Sequence, residues 1–138
     1  LTKRLLNAGK LFQSLFTRDL PEPWVAYSDL DVGSFDDIPI ATHSAVIQQN
    51  GNGEDVWSVT LTVNLFLDPA GAFDRAAFVY AVIHAWDDDP EESIIPGVGA
   101  IESVDDLDAF MPASGEVLMN NKAVRHYQGA FSITAKVH

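Results

Sequence analysis

His84-Ala85-Trp86-Asp87-Asp88-Asp89 places an imidazole beside three carboxylates, the donor types that bind a metal ion or share acid-base work. The spacing weakens that chemistry. On one helical face the partner of His84 would be Asp88, four residues on, and Pro90 ends a helix at that point. The plainer expectation is a half-buried histidine over a sheet, followed by a solvated acidic loop of Asp87, Asp88, Asp89, Glu91 and Glu92. Carboxylates at a helix C-terminus oppose the negative end of its macrodipole. Solvent, a basic partner surface or a neighbouring subunit's lysines must offset that cost.

Little else in the chain has catalytic spacing. Gly97 and Gly99 lack the third glycine, the following helix and the ribose-binding acid of a dinucleotide fingerprint. Ser93 and Ser114-Gly115 have no nucleophile-elbow context, and His43, His84, His126 and His138 compose no supported triad. His126 and His138 fall on the polar face of the last strand, as surface histidines do. Cysteine is absent, which excludes disulfides and thiolate metal sites. No catalytic residue, metal or cofactor is therefore expected. Trp24, Trp57 and Trp86 suit a core, with Trp24, close behind Pro21 and Pro23, also placed to anchor an interface.

Charge narrows the partners. Twenty acidic residues against 8 basic ones give a formal net charge of −12 over 138 residues. Such a surface repels phosphate, so tight binding of nucleic acid or anionic lipid through a basic patch is disfavoured. Passive contact with DNA is compatible with it. No apolar run approaches the roughly 20 residues that cross a bilayer, and no unbroken apolar centre with a cleavage site marks a signal peptide before Pro21, so neither a span nor export is expected. The initial Leu1 reads as a trimmed product or a non-AUG start.

The elements that would position these side chains follow from periodicity. Leu1–Phe16 gathers Leu5, Leu6, Phe12, Leu15 and Phe16 near one helical face, and Pro21 and Pro23 stop that helix by Leu20. Trp24–Phe35 is an ordered connection with room for a short strand. Ile38–Gln48 alternates without a purely polar face, as in a strand covered on both sides. Gln49, Asn50, Gly51, Asn52, Gly53, Glu54 and Asp55 form the polar tip of a hairpin, with Asn-Gly dipeptides that supply positive φ. In the next strand Trp57, Val59, Leu61, Val63, Leu65 and Leu67 face one way, and burying each is worth about 1.5–3 kcal/mol before entropy.

Asp68 and Pro69 suit the N-cap and first position of a helix over Phe73–Trp86, with Gly71 able to delay its start by a turn. Phe73, Ala77, Tyr80 and His84 form one stripe, and Ala76, Val79, Ile83 and Trp86 its neighbour. Between Pro90 and Asn121 the expectation is one short strand near Val98–Val104 and otherwise loops, including a second acidic run with Asp105, Asp106 and Asp108. Tyr127–Val137 alternates as a final strand. Helix, hairpin, helix, loop and strand give a single α+β domain with an antiparallel or mixed sheet and both helices on one face.

The whole-chain pattern resembles the tail terminator proteins of long-tailed bacteriophages, the group that includes the lambda and HK97 tail terminators. Its carriers are the N-terminal helix ending in LPEPWVAY, the strand VWSVTLTVNLFLDP, the helix AFDRAAFVYAVIHAW and the final strand HYQGAFSITAKVH. The resemblance implies a ring, usually of six subunits, with no enzymatic activity. Such a ring caps the tail tube in the virion, after assembly in the host cytoplasm. Its implied partners are further copies of itself, the major tail tube protein, the head-tail connector or stopper, and DNA passing through the lumen without specific binding. Carried onto this chain, the hairpin tip and Ser93–Pro112 become contact regions, and the acidic runs become either lumen lining or outer surface. Two other readings are another neck protein, such as a stopper, and a small ligand-binding or hydrolytic domain. The first differs in its position on the particle; the second needs a cavity in which His84 has polar company.

Overall fold

Strict alternation along Val56–Leu67 builds the centre of the molecule: Val59, Leu61, Val63, Leu65 and Leu67 are each at most 1% exposed. In the computed structural model, which describes residues 4–28, 38–49, 55–88, 91–119 and 122–138, the elements run in the order α1 (Ala8–Asp19), β1 (Val25–Ser28), β2 (Ile40–Gln49), β3 (Val56–Leu67), α2 (Ala72–Ala85), β4 (Gly99–Met119) and β5 (Lys122–Val137). The five strands form one sheet in the order β1-β2-β3-β5-β4. β1 runs parallel to β2, and every other pairing is antiparallel, so the sheet is mixed. The fold is α+β, as the element pattern indicates.

β2 and β3 make the expected hairpin, with Ala41 opposite Leu65 and Gln49 opposite Trp57. Its tip at residues 50–54 lies outside the described residues, as does Asp89. β2 is buried on both faces at one end, with Ile40 on one side and Ala41 and His43 on the other. Beyond that end the face away from the helices carries Ser44, Thr60, Thr62, Ser132 and Thr134 around an exposed Val46. Its buried part is a small cluster of Ile40, Phe66 and Val124, packed by Tyr27 and Ile38.

Both helices lie on the opposite face, α1 against β1 and β2 and α2 against β3 and β4. They also touch each other: the Trp86 ring sits 5.9 Å from Phe12 and 5.1 Å from Phe16, centroid to centroid. Leu11, Phe12, Leu15 and Phe16 of α1 are fully buried in that layer, as are Val79 and Ile83 of α2. Among the described residues no helix is long and apolar enough to cross a membrane.

Three expectations need correction. The first helix does not span Leu1–Phe16; Asn7 caps it by accepting a hydrogen bond from the Lys10 N–H at 3.1 Å, and it continues to Asp19. An amide side chain that can accept from the backbone terminates a helix more effectively than the apolar stripe prolongs it. Leu5 consequently falls outside the helix and is 75% exposed, while Leu6 is buried. At α2, Asp68 is not the N-cap. Its carboxylate accepts the Ala70 N–H at 3.0 Å in a preceding turn, and Gly71, at φ 76°, leads into the helix at Ala72.

The largest correction concerns 99–119, expected as a short strand and loops and found as one 21-residue strand. Its alternation is broken by register shifts between Ile101 and Ser103, Asp106 and Asp108, Asp108 and Met111, and Pro112 and Glu116. Each shift resets which residues face inward, so no single period survives in the sequence. The regular β5 supplies the template that this irregular strand follows. Ser93–Pro112 is therefore not a loop region throughout.

Candidate functional site

Helical spacing brings Tyr80 and His84 to the flank of α2 that faces β4, where Asp106 stands opposite Phe131 of β5. His84 Nε2 lies 2.6 Å from Asp106 Oδ1, and the Tyr80 hydroxyl donates to Asp106 Oδ2. The two rings pack 4.5 Å apart, and both approach Phe131, at 6.2 Å from Tyr80 and 6.1 Å from His84. The Tyr80 hydrogen bond holds the Asp106 carboxyl below its usual range; partial burial opposes this and His84 assists it. The same bond pushes the Tyr80 hydroxyl above its ordinary value. An ionised carboxylate only accepts hydrogen bonds, so His84 carries its proton on Nε2.

His84 is half-buried over the sheet, as expected, and its carboxylate is one that the sequence reading did not name. Asp88 is exposed and makes no described contact with it; the carboxylate comes from a residue 22 positions on, across the edge of the sheet. Both Asp106 oxygens are engaged, which makes the cluster a clamp between α2 and β4. Among the described residues no group of three or more His, Asp or Glu side chains is arranged to hold a metal ion.

The clamp has an acid-range signature. A carboxyl with a depressed folded-state pKa stabilises the fold above its unfolded value of 3.8, and that contribution is lost as pH falls through the lower folded value. Asp106→Asn should therefore flatten the decline of unfolding free energy below about pH 4, measured by urea denaturation across pH. Its cost near neutrality should be about 1 kcal/mol or less, because the side chain is 35% exposed and solvent screens the interaction. An unchanged acid limb would remove Asp106 from the clamp.

The other acidic residues separate into distinct roles. Asp87 is not a solvated loop residue: its Oδ2 accepts the Val104 N–H at 2.8 Å, a contact that offsets its position at the end of α2. Asp88, Glu91 and Glu92 are exposed, and the Glu92 carbonyl accepts a hydrogen bond from Arg18. Asp105 and Asp108 are exposed on β4, beside Asp106. Since β4 is the sheet's outer strand, these charges discourage a further strand from pairing with it. The two acidic runs thus meet along one edge, linked by the contact between Asp87 and Val104.

Of the hairpin residues, Gln49 ends β2, and Asp55 is already paired with Arg4 at 2.8 Å. That guanidinium holds the Asp55 carboxyl below its usual range. Trp24 is half-buried against the core. His126 is not a simple surface histidine: its ring stacks on Phe66 at 4.7 Å, Nε2 meets Asn64 Oδ1 at 2.7 Å, and burial pushes its pKa below the ordinary 6.5.

A buried polar relay escaped periodicity entirely. His43, 2% exposed, meets Gln13 Oε1 at 2.8 Å through Nε2, while Gln13 Nε2 donates to the Ala26 carbonyl at 2.9 Å. It fastens α1 to β1 and β2. The only signal in the sequence was a histidine within an otherwise small and apolar strand face, His43 between Ala41 and Ala45.

Two of the depressions that border β4 lie on opposite faces of the sheet. One of about 360 Å³ on the polar sheet face is lined by Thr62, Asp108, Met111 and Gln128 among others. The other, of about 180 Å³, is an apolar groove between α2 and β4 lined by Phe73, Ala76, Ala77, Tyr80, Ala109 and Phe110. Phe110 is seated there because Gly129 leaves room for its ring; a Cβ at that glycine would lie 2.9 Å from it. Comparison with protein families and with curated proteins finds no match to the chain.

Proposed function

We propose that the chain is a structural subunit that assembles with copies of itself into a ring of the tail terminator type, capping a tail tube and joining it to the connector above. The observation that carries this reading is the placement of the four segments behind the resemblance. LPEPWVAY runs from the end of α1 into β1, and the remaining three supply β3 and β5 of one sheet and the helix α2 packed on it. In a ring the net charge of −12 multiplies with each copy, which suits a passage that DNA crosses without adhering.

Electron microscopy of the purified protein, alone and with tail tubes, tests the reading. Rings, or label confined to the head-proximal end of the tail, are the expected result. A strictly monomeric protein that never appears at that end would count against it, and label on the head side of the joint would favour a stopper.

A further inference from the structure

We propose that Asp87 and residues 91–95, between α2 and β4, form a strap that closes the first part of β4's outer edge to any added strand, and that freeing the strap turns this edge into a binding site for a cationic strand. A tight turn starts the strap. The Ile95 N–H donates to the Gly99 carbonyl at 2.8 Å and the Gly99 N–H to the Ile95 carbonyl at 3.1 Å, with Gly97 between them at φ 76°. Such a reciprocal pair sets the register of an antiparallel hairpin, in which Ser93 falls opposite Ile101. There the strap leaves strand geometry, because the Ile94 N–H bonds back to the Glu91 carbonyl at 3.4 Å, and the Ser93 hydroxyl takes over both backbone groups of Ile101. Asp87 then accepts the Val104 N–H at 2.8 Å. Gly99, Ile101 and Val104 thus spend on the strap the outward groups that an added strand needs.

The strap is fastened from behind by α1. Arg18 donates to the Glu92 carbonyl and pairs with Asp19 at 2.7 Å, and Asp19 accepts the Trp86 indole N–H at 2.9 Å. Further along β4 the exposed Asp105 and Asp108 take over, so hydrogen bonds guard one stretch of the edge and charge guards the next. The two guards stop different strands. Carboxylates repel an acidic strand but attract a basic one, whereas a strap excludes both. This chain contains a basic strand: β5 carries Lys122, Arg125 and Lys136 and no acid, and it already pairs with the inner edge of β4, Ala135 opposite Ile101 and Ile133 opposite Val104. Without the strap, the outer edge offers the same sequence from a second chain another place to pair.

A fluorescently labelled peptide of the Lys122–Val137 sequence and the full-length double variant Asp87→Ala/Ser93→Ala test the proposal. Amide exchange in wild type should be slow at Gly99, Ile101 and Val104; in the variant it should rise at least about tenfold at all three, because the strap opens as a unit, while Leu61 and Val63 stay slow. By fluorescence anisotropy the peptide should bind the variant at least about tenfold more tightly than wild type, with unaltered circular dichroism spectra. Arg18→Ala removes the exposed fastening without touching β4. It should move both readings the same way by a smaller factor, and it carries the test where the double variant does not fold. Wild type that binds the peptide as tightly as the variants do, or edge amides that exchange no faster in either variant, would overturn the proposal. So would faster exchange with no gain in peptide binding, or equal binding of a peptide with the same composition in scrambled order, which would show charge alone at work.

Discussion

Phe16→Ala should lower the unfolding free energy by about 3–5 kcal/mol, the range for truncating a buried aromatic side chain. Phe16 is fully buried in α1, meets Trp86 edge-on at 5.1 Å, and stacks on His43 of β2 at 5.2 Å. One ring therefore joins both helices to the sheet. Its removal costs apolar burial and leaves a cavity at the junction of three elements. The loss is a large fraction of the 5–15 kcal/mol typical of a domain. Urea or guanidinium denaturation measures it as a lower midpoint at constant slope. Phe78→Ala, at a position 42% exposed on α2, provides the comparison and should change stability by about 0.5 kcal/mol or less. A loss below about 1.5 kcal/mol for Phe16→Ala would mean that the helices are not held together through this ring.

The strength of that contrast reflects what periodicity can and cannot carry. β3 was legible because one uninterrupted alternation places Val59 through Leu67 in the core, and β5 was legible for the same reason. α1 was legible in its centre but not at its start, because Leu5 continues the apolar stripe past Asn7, whose side chain ends the helix. β4 was illegible. Its residues on the helix side, the buried Ile101 and Val104 and the exposed Asp106, are spaced unevenly by register shifts, and Glu102, Asp105 and Asp108 give it the composition of a loop. The stripe containing Tyr80 and His84 could be read from helical spacing, but the carboxylate it faces could not. Asp106 reaches the pair only through the pairing of β4 with β5, a long-range fact that no local pattern encodes. The same holds for Asp87, whose partner is a backbone N–H rather than a side chain of recognisable type.

Ser93→Ala should cost about 1–3 kcal/mol although it removes only one oxygen, because that oxygen serves two backbone groups in a dry site. Ser93 is fully buried between α2 and β4; its Oγ accepts the Ile101 N–H at 3.0 Å and donates to the Ile101 carbonyl at 3.2 Å. Ile101 belongs to the outer strand of the sheet, so both of its polar groups that meet Ser93 lack a further strand beyond β4. The hydroxyl stands in for that missing strand. Alanine matches serine in bulk and leaves the apolar packing in place, so the penalty comes from desolvated polar groups rather than from a cavity. Chemical denaturation should show the lower stability, and amide exchange should accelerate at Ile101 while remaining slow at Leu61 and Val63 in the sheet centre. Exchange at Ile101 no faster than in wild type, with stability unchanged, would mean that the Ile101 backbone does not depend on this hydroxyl.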